Sequence, residues 1–176
     1  MLYTTHISRS LEVMFKGTKV NYAVIPCDYL EQIDWSKYPV ALVVNDSPST
    51  SIGRHWLAIW AQSRDSPVYF FCSYGLGINS YTSIFKNLFK TIRKDVVENL
   101  RTLQAIGSTV CGHYCLYALH KFYHGCCPMS LYHNFSTDTA ANDRKVKRYV
   151  AKYLFSNRRH KKFMHFNKNQ CCTPFK

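Results

Sequence analysis

Three side chains in this sequence are of the types that a cysteine acyl-transfer reaction requires: His55, Gln104 and Cys111. Cys111 begins an apolar stretch with helical periodicity, and a thiol at a helix N-terminus meets the positive end of the helix dipole, which favours the thiolate. A histidine from elsewhere in the fold can take the thiol proton, and a glutamine amide seven residues upstream can donate a hydrogen bond to a developing oxyanion. The pattern therefore predicts a nucleophile, a general base and an oxyanion donor.

The elements that position these residues are predicted from the periodicity of apolar residues. Apolar runs of strand type cover residues 40–44, 56–60 and 68–71, and residues 103–106 are predicted as a further short strand. Helical periodicity covers residues 84–96, 111–124 and 139–155, and Ser108 or Thr109 is the predicted N-cap of the second helix. The region up to Asn21 is predicted to be irregular. Because strands come first and helices surround them, the predicted fold class is α+β, with a small central mixed β-sheet flanked by helices.

The composition favours one folded domain inside the cell. The chain has 176 residues, of which 47% are hydrophobic, and this is enough for a core. No run approaches the ~18 apolar residues of a membrane span, so no membrane association is predicted. Because no secretory signal is recognised, the eight cysteines are interpreted as thiols in a reducing compartment. Cys111, Cys115, His120 and His124 would lie along one side of a single helix and could not surround an ion, so no metal site is predicted.

The net charge of +13 is concentrated at the C-terminus. All ten carboxylates lie at or before Asp143, whereas eleven lysines and arginines follow from Arg144 onward. A basic C-terminal segment of this kind can bind a polyanion, and we predict that it contacts the phosphates of DNA without sequence preference. The alternative is a helix face that is only solvated. The residues predicted to bind nucleic acid are Lys145, Lys147, Arg148, Lys152, Arg158, Arg159, Lys161 and Lys162.

Four segments, taken in order, resemble the adenovirus proteinase (adenain) family. They are residues 54–58 (RHWLA), residues 69–75 (YFFCSYG), Gln104, and residues 110–115 (VCGHYC), with the same step of seven residues from glutamine to cysteine. Residues 45–48 (NDSP) and 53–56 (GRHW) are similar in particular to the adenain-like proteases of Polinton (Maverick) elements and adintoviruses. The resemblance covers roughly residues 22 to 155 and implies a papain-like or adenain-like cysteine protease fold; the predicted domain is residues 1–156. Residues 157–176 lack a hydrophobic period and are predicted to be a basic, flexible tail.

The resemblance also implies a role for each site residue. Cys111 would be the nucleophile at the helix N-terminus, and His55 would be the general base. Gln104 would donate to the oxyanion together with the backbone N–H of Cys111.

One position departs from the family pattern. Cys72 stands where the family has Asp or Glu, and a neutral thiol is a poor substitute for the acid that orients the base. Either the enzyme works with a Cys–His pair alone, or this protein is a weakened or inactive protease. Asp46 and Asp65 are conceivable replacements, but the sequence does not place either of them beside His55.

The implied function is that of a viral or transposon-encoded cysteine endopeptidase. It would cleave capsid and core precursor proteins during particle maturation, with a preference for small residues and glycine in particular. It would act as a monomer in the host nucleus and in the virion, with DNA and a short activating peptide as candidate cofactors and no other cofactor required. Two other functions stay open: a SUMO- or ubiquitin-like isopeptidase, and a catalytically weakened DNA-binding particle protein on a protease fold.

Overall fold

The centre of the protein is a mixed five-stranded sheet. A computed structural model describes residues 1–155 of the chain. The strands, whose order in the sheet follows the chain, are β1 (Asn21–Pro26), β2 (Val40–Asn45), β3 (Trp56–Ala61), β4 (Val68–Phe71) and β5 (Val96–Glu98). The pairs β2–β3 and β3–β4 are antiparallel, whereas the outer pairs β1–β2 and β4–β5 are parallel. The predicted α+β class with a mixed sheet is confirmed.

Helices cover both faces of this sheet. They are α1 (Thr4–Phe15), α2 (Ser83–Thr91), α3 (Cys111–Tyr123), α4 (Pro128–His133) and α5 (Thr139–Val150), with short 3₁₀ segments at Cys27–Gln32 and Ile78–Ser80 and a π-helical turn at Ala151–Phe155. Alternate residues of the central strands point to opposite faces, as the period of a strand requires. Ala41, Val43, Ala58 and Trp60 pack with α1, α3 and α5, whereas Leu42, Val44, Leu57 and Ile59 pack with α2. Burial on both faces explains why β2 and β3 are continuous apolar runs.

The helix α3 lies in the middle of one face and is buried almost all round, with ten of its 13 residues inaccessible. Its second residue is Gly112, and a Cβ atom there would lie 3.1 Å from the Cδ1 of Ile7 and 3.3 Å from the Cβ of Leu2. The missing side chain therefore lets the N-terminal segment pack directly against the first turn of α3, beside Cys111.

Most of the predicted elements are confirmed. The three apolar runs are β2, β3 and β4, and the helix that begins at Cys111 ends before Gly125, which has φ +81°. Asp138 caps α5, because its carboxylate accepts a hydrogen bond from the backbone N–H of Ala141 at 2.9 Å. The helical period of residues 139–155 also predicts that Tyr153 faces inward, but Tyr153 is instead 37% exposed.

Four of the secondary-structure predictions are wrong. The region predicted to be irregular contains α1 and the start of β1. Residues 103–106 do not form a strand, because the backbone N–H groups of Leu103 and Gln104 both bond the carbonyl of Ser73. Residue 96 belongs to β5 and not to a helix, since the chain leaves α2 through a left-handed residue at position 93. The N-cap of α3 is Val110, with no side-chain cap.

Within residues 1–155, no helix is both long enough and apolar enough to cross a bilayer. The predicted boundary at residue 156 and the predicted tail, residues 157–176, lie outside the described part of the chain.

Candidate active site

His55 and Cys111 line the same cleft, which has a volume of about 660 Å³. His55 directly precedes β3, and Cys111 is the first residue of α3. Their side chains are largely buried, at 8% and 9% exposure. Trp56, the first residue of β3, lies beside the first turn of α3, since a Cβ atom at Gly112 would be 3.5 Å from its Cδ1. The beginning of β3 and the beginning of α3 therefore meet at the cleft.

The backbone and ring of His55 are held by separate contacts. Asp46, just after β2, accepts hydrogen bonds through Oδ1 from the backbone N–H groups of His55 (3.1 Å) and Arg54 (3.3 Å). The imidazole stacks on the ring of Tyr74, with centroids 5.0 Å apart and planes 30° from parallel. Of the two acids considered as replacements, Asp46 is therefore the near one, but it binds the main chain and not the ring. Asp65 lies in the β3–β4 turn, at the opposite end of β3.

Cys72 lies directly against the imidazole. Its Sγ is 3.5 Å from Nε2 of His55, and the residue is completely buried just after β4. The hydroxyl of Tyr81 donates a second hydrogen bond to the same sulfur at 3.0 Å. Cys72 thus occupies the place beside the far ring nitrogen that an orienting carboxylate takes in a catalytic triad.

Gln104 is 1% exposed and is fixed by three side-chain hydrogen bonds. Its Oε1 accepts from the Ser73 hydroxyl at 2.7 Å, so the amide group points its Nε2 the other way. Nε2 donates to the Ser108 carbonyl at 2.7 Å and to the Tyr74 hydroxyl at 3.1 Å. Both amide protons are therefore in use, and Gln104 must release one of these partners before it can bind an oxyanion.

Burial determines the protonation states in the cleft. It lowers the pKa of His55 to about 4, although the charge of Asp46 acts in the opposite direction. It also raises the pKa of Cys111, against the hydrogen bonds that the sulfur receives from the backbone of Trp56 and of α3 itself. At neutral pH the empty site therefore holds a neutral thiol and a neutral imidazole. The thiolate expected from the helix dipole is not favoured, because removal from water outweighs the dipole.

The buried histidines predict a stability that falls in acid. Burial lowers the pKa of His120 on α3 to about 3 and that of His55 to about 4, whereas an unfolded imidazole titrates near 6.5. The unfolded chain thus binds more protons below pH 6.5, so stability is full above this value and is lost as the pH falls toward 3. His120→Gln should reduce the pH slope of the unfolding free energy between pH 6 and 4.5 by about 1.4 kcal/mol per unit.

Urea denaturation at several pH values measures this slope. The matched control is His133→Gln, the same substitution on the exposed surface at the end of α4. Equal slopes for His120→Gln and the unmodified protein would contradict the prediction.

The part of the predicted nucleic-acid surface that is described lies on α5 and the π-helical turn. Lys145, Lys147, Arg148 and Lys152 are all exposed. Lys145 is partly engaged, because its Nζ bonds the carbonyl of Asn134 and lies 5.5 Å from the centroid of the Phe135 ring. The other four predicted residues, Arg158, Arg159, Lys161 and Lys162, lie outside the described residues. The helix therefore presents a basic face to solvent.

The residues weighed as zinc ligands make other contacts. His120 forms a 2.7 Å hydrogen bond between its Nδ1 and the Tyr149 hydroxyl, and its ring packs on that of His124. In the described portion of the chain, no group of three or more His, Cys, Asp or Glu side chains could hold a metal ion.

Sequence reasoning did not find several residues that hold the site together. Ser73, Tyr74 and Ser108 orient Gln104, and Tyr81 binds Cys72. The sequence suggests Asp46 only as a partner of the imidazole, whereas Asp46 anchors the His55 backbone. Ser73 and Tyr74 could have been suspected, because they directly follow Cys72 in the segment that carries the family resemblance. Tyr81 has no such signal, since its hydroxyl reaches the sulfur only through the folding of the chain between β4 and α2.

No protein-family model and no curated protein matches the sequence. Among solved structures, the fold is similar to that in the crystal structure of the ASFV pS273R protease, with a TM-score of 0.60 and 18% sequence identity. The match covers 89% of this chain and 67% of that chain. At this level of identity the likeness concerns the fold, and this chain therefore has the fold of a protease.

Proposed function

We propose that the protein is a cysteine endopeptidase encoded by a virus or by a Polinton-like transposon. The observation that carries the proposal is that His55 and Cys111 line one cleft, with Cys72 against the far nitrogen of the imidazole. The fold shared with a protease supports it, as does the order of the four adenain-like segments. Its substrates would be capsid and core precursor proteins, cleaved during particle maturation in the host nucleus and the virion by a monomeric enzyme.

The arrangement can perform acyl transfer in two steps. The Cys111 sulfur attacks the carbonyl carbon of the scissile peptide while the thiol proton passes to His55. The oxyanion is bound by the Cys111 backbone N–H and by Nε2 of Gln104 once it leaves the Tyr74 hydroxyl. When the C–N bond breaks, the imidazolium gives its proton to the leaving amine, and a thioester remains. Water, deprotonated by His55, then attacks the thioester, the C–S bond breaks, and Cys111 recovers its proton.

The cleft also suggests which residues flank the scissile bond. Two large aromatic side chains, Trp56 and Tyr74, line it together with the two catalytic residues. We therefore expect small residues, glycine in particular, at the cleavage point.

Peptide cleavage tests this function and separates it from the alternatives. The full chain is incubated with fluorogenic peptides that carry Gly-Gly or Leu-Leu at the central bond, and with a SUMO fusion, each with and without DNA. We expect kcat/KM for the glycine peptide to be at least ~10-fold higher than for the leucine peptide. A SUMO fusion that is cleaved far better than the peptide would instead identify an isopeptidase. If the folded protein cleaves none of these substrates, the result would favour the second candidate, a non-catalytic DNA-binding particle protein. This candidate is considered because the thiol and the imidazole of the site are both neutral.

DNA assistance is proposed to act through the basic face of α5. Replacing Lys147 and Arg148 by Gln should weaken binding to a DNA duplex of any sequence and reduce the slope of log K against log salt concentration by about 2. Fluorescence anisotropy over a salt series measures both quantities. The control is Lys86→Gln with Lys90→Gln on α2, which removes the same charge from an exposed helix elsewhere. Equal losses for the two double variants would mean that only net charge matters.

A further inference from the structure

Tyr81 contacts the sulfur that contacts the general base. Its ring packs between Phe70 of β4 and Phe85 of α2, with centroids 5.7 Å and 5.8 Å away, and its hydroxyl donates to Cys72 Sγ at 3.0 Å. Burial and this hydrogen bond raise the pKa of Tyr81, so its hydroxyl remains a donor. Tyr81, Cys72 and His55 therefore form a row of three hydrogen-bonding groups, in which the tyrosine hydroxyl is the first donor.

The donor-to-acceptor order of these hydrogen bonds decides which nitrogen of His55 carries the proton. A thiol that accepts a hydrogen bond becomes a better donor, because neighbouring hydrogen bonds in a chain polarise one another. The thiol hydrogen of Cys72 is then directed to Nε2 of His55, 3.5 Å away, and Nε2 acts as the acceptor. A neutral imidazole has one proton, so this proton must sit on Nδ1. In this tautomer His55 has no free nitrogen with which to take the Cys111 proton.

A carboxylate in place of Cys72 would impose the opposite state. It has no proton to donate, so it accepts from Nε2–H and leaves Nδ1 free. We propose that Tyr81 is a positioning residue that, through Cys72, holds His55 in the tautomer protonated on Nδ1, so that the resting site is latent. The active tautomer is reached when solvent water takes the proton from Nδ1 and solvent water donates another to Nε2, with no change in net charge. This inference rests on the proposed function, because latency has meaning only if His55 is the base.

Two measurements test the inference, and the first does not need peptidase activity. Nitrogen-15 NMR of the full chain at pH 7, with the His55 signals assigned by comparison with His55→Ala, reports which nitrogen is protonated. We expect Nδ1–H in the unmodified protein and a shift toward Nε2–H in Tyr81→Phe, which keeps the ring but loses the donor. A proton on Nε2 in the unmodified protein, or the same tautomer population in both proteins, would overturn the inference even if peptides are cleaved.

The second measurement is a double-mutant cycle on kcat/KM. Tyr81→Phe should raise kcat/KM about three- to tenfold when Cys72 is present, and should change it less than twofold in a Cys72→Ala background. A purely structural tyrosine would have the same effect in both backgrounds, and that result would overturn the inference. If no variant cleaves any peptide, the proposed function fails, and the NMR measurement still decides how His55 is protonated.

Discussion

Cys111→Ala is expected to abolish peptide cleavage, with a fall in kcat/KM of at least ~10⁴-fold. Alanine removes the sulfur that attacks the carbonyl carbon, and neither Gln104 nor His55 can form a thioester in its place. The fold should not suffer, because Cys111 lines a cleft and alanine removes only its sulfur. Steady-state kinetics with the glycine peptide measures the loss, and circular dichroism confirms that the variant is folded.

The matched control for this variant lies one helical turn further along α3. Cys115 is completely buried, and burial raises its pKa well above the ordinary value, so its thiol stays protonated. Cys115→Ala should lower stability by about 1 kcal/mol while kcat/KM stays within a few-fold of the unmodified protein. A larger loss of activity in Cys115→Ala than in Cys111→Ala would mean that the nucleophile has been assigned wrongly.

Cys72→Asp is expected to raise kcat/KM by about 10- to 100-fold. The carboxylate would accept hydrogen bonds from the Tyr81 hydroxyl and from Nε2 of His55, which frees Nδ1 to act as the base. Its charge would also stabilise the imidazolium formed during attack, and would thereby raise the pKa of His55 from about 4 toward neutrality. The acid limb of the profile of kcat/KM against pH should move to higher pH in the variant.

Cys72→Asn separates the charge of the new residue from its shape. With the Tyr81 hydroxyl donating to its amide oxygen, the asparagine would direct its NH₂ group at Nε2 and keep the proton of His55 on Nδ1. We therefore expect less than about a threefold gain from this variant. Equal kinetics for Cys72→Asp and the unmodified protein, with unchanged pH profiles, would show that Cys72 does not limit the activity of His55.

The sequence predicts those strands and helices whose pattern of apolar residues has a single physical explanation. The continuous apolar runs of β2 and β3 are typical of strands covered on both faces, and the tertiary packing agrees. The edge strand β1 is only partly buried along its whole length, and its apolar run, residues 22–25, is bounded by Asn21 and Pro26. In α1 the inward face includes Ser10, whose hydroxyl bonds the carbonyl of His6, and this polar residue hides the helical period.

In the candidate site, too, some features can be predicted from the sequence and others depend on the tertiary structure. The order and spacing of His55, Cys72, Gln104 and Cys111 are properties of the sequence. The fold places the histidine in contact with Cys72 and in one cleft with Cys111. The neutral state of the thiol and imidazole could not be predicted, because it depends on how deeply each group is buried. The contact between Tyr81 and Cys72 depends likewise on the path of the chain from β4 to α2.

The central claim is that Cys111 is a nucleophile whose reactivity in the cleft depends on His55. Its most direct test is covalent labelling of the full chain by a peptide vinyl sulfone that ends in glycine, followed by mass-spectrometric mapping of the modified residue. The account predicts one label, on Cys111, in the unmodified protein, and at least ~10²-fold slower labelling of His55→Ala. A label on another cysteine, or the same labelling rate with and without the imidazole, would contradict it.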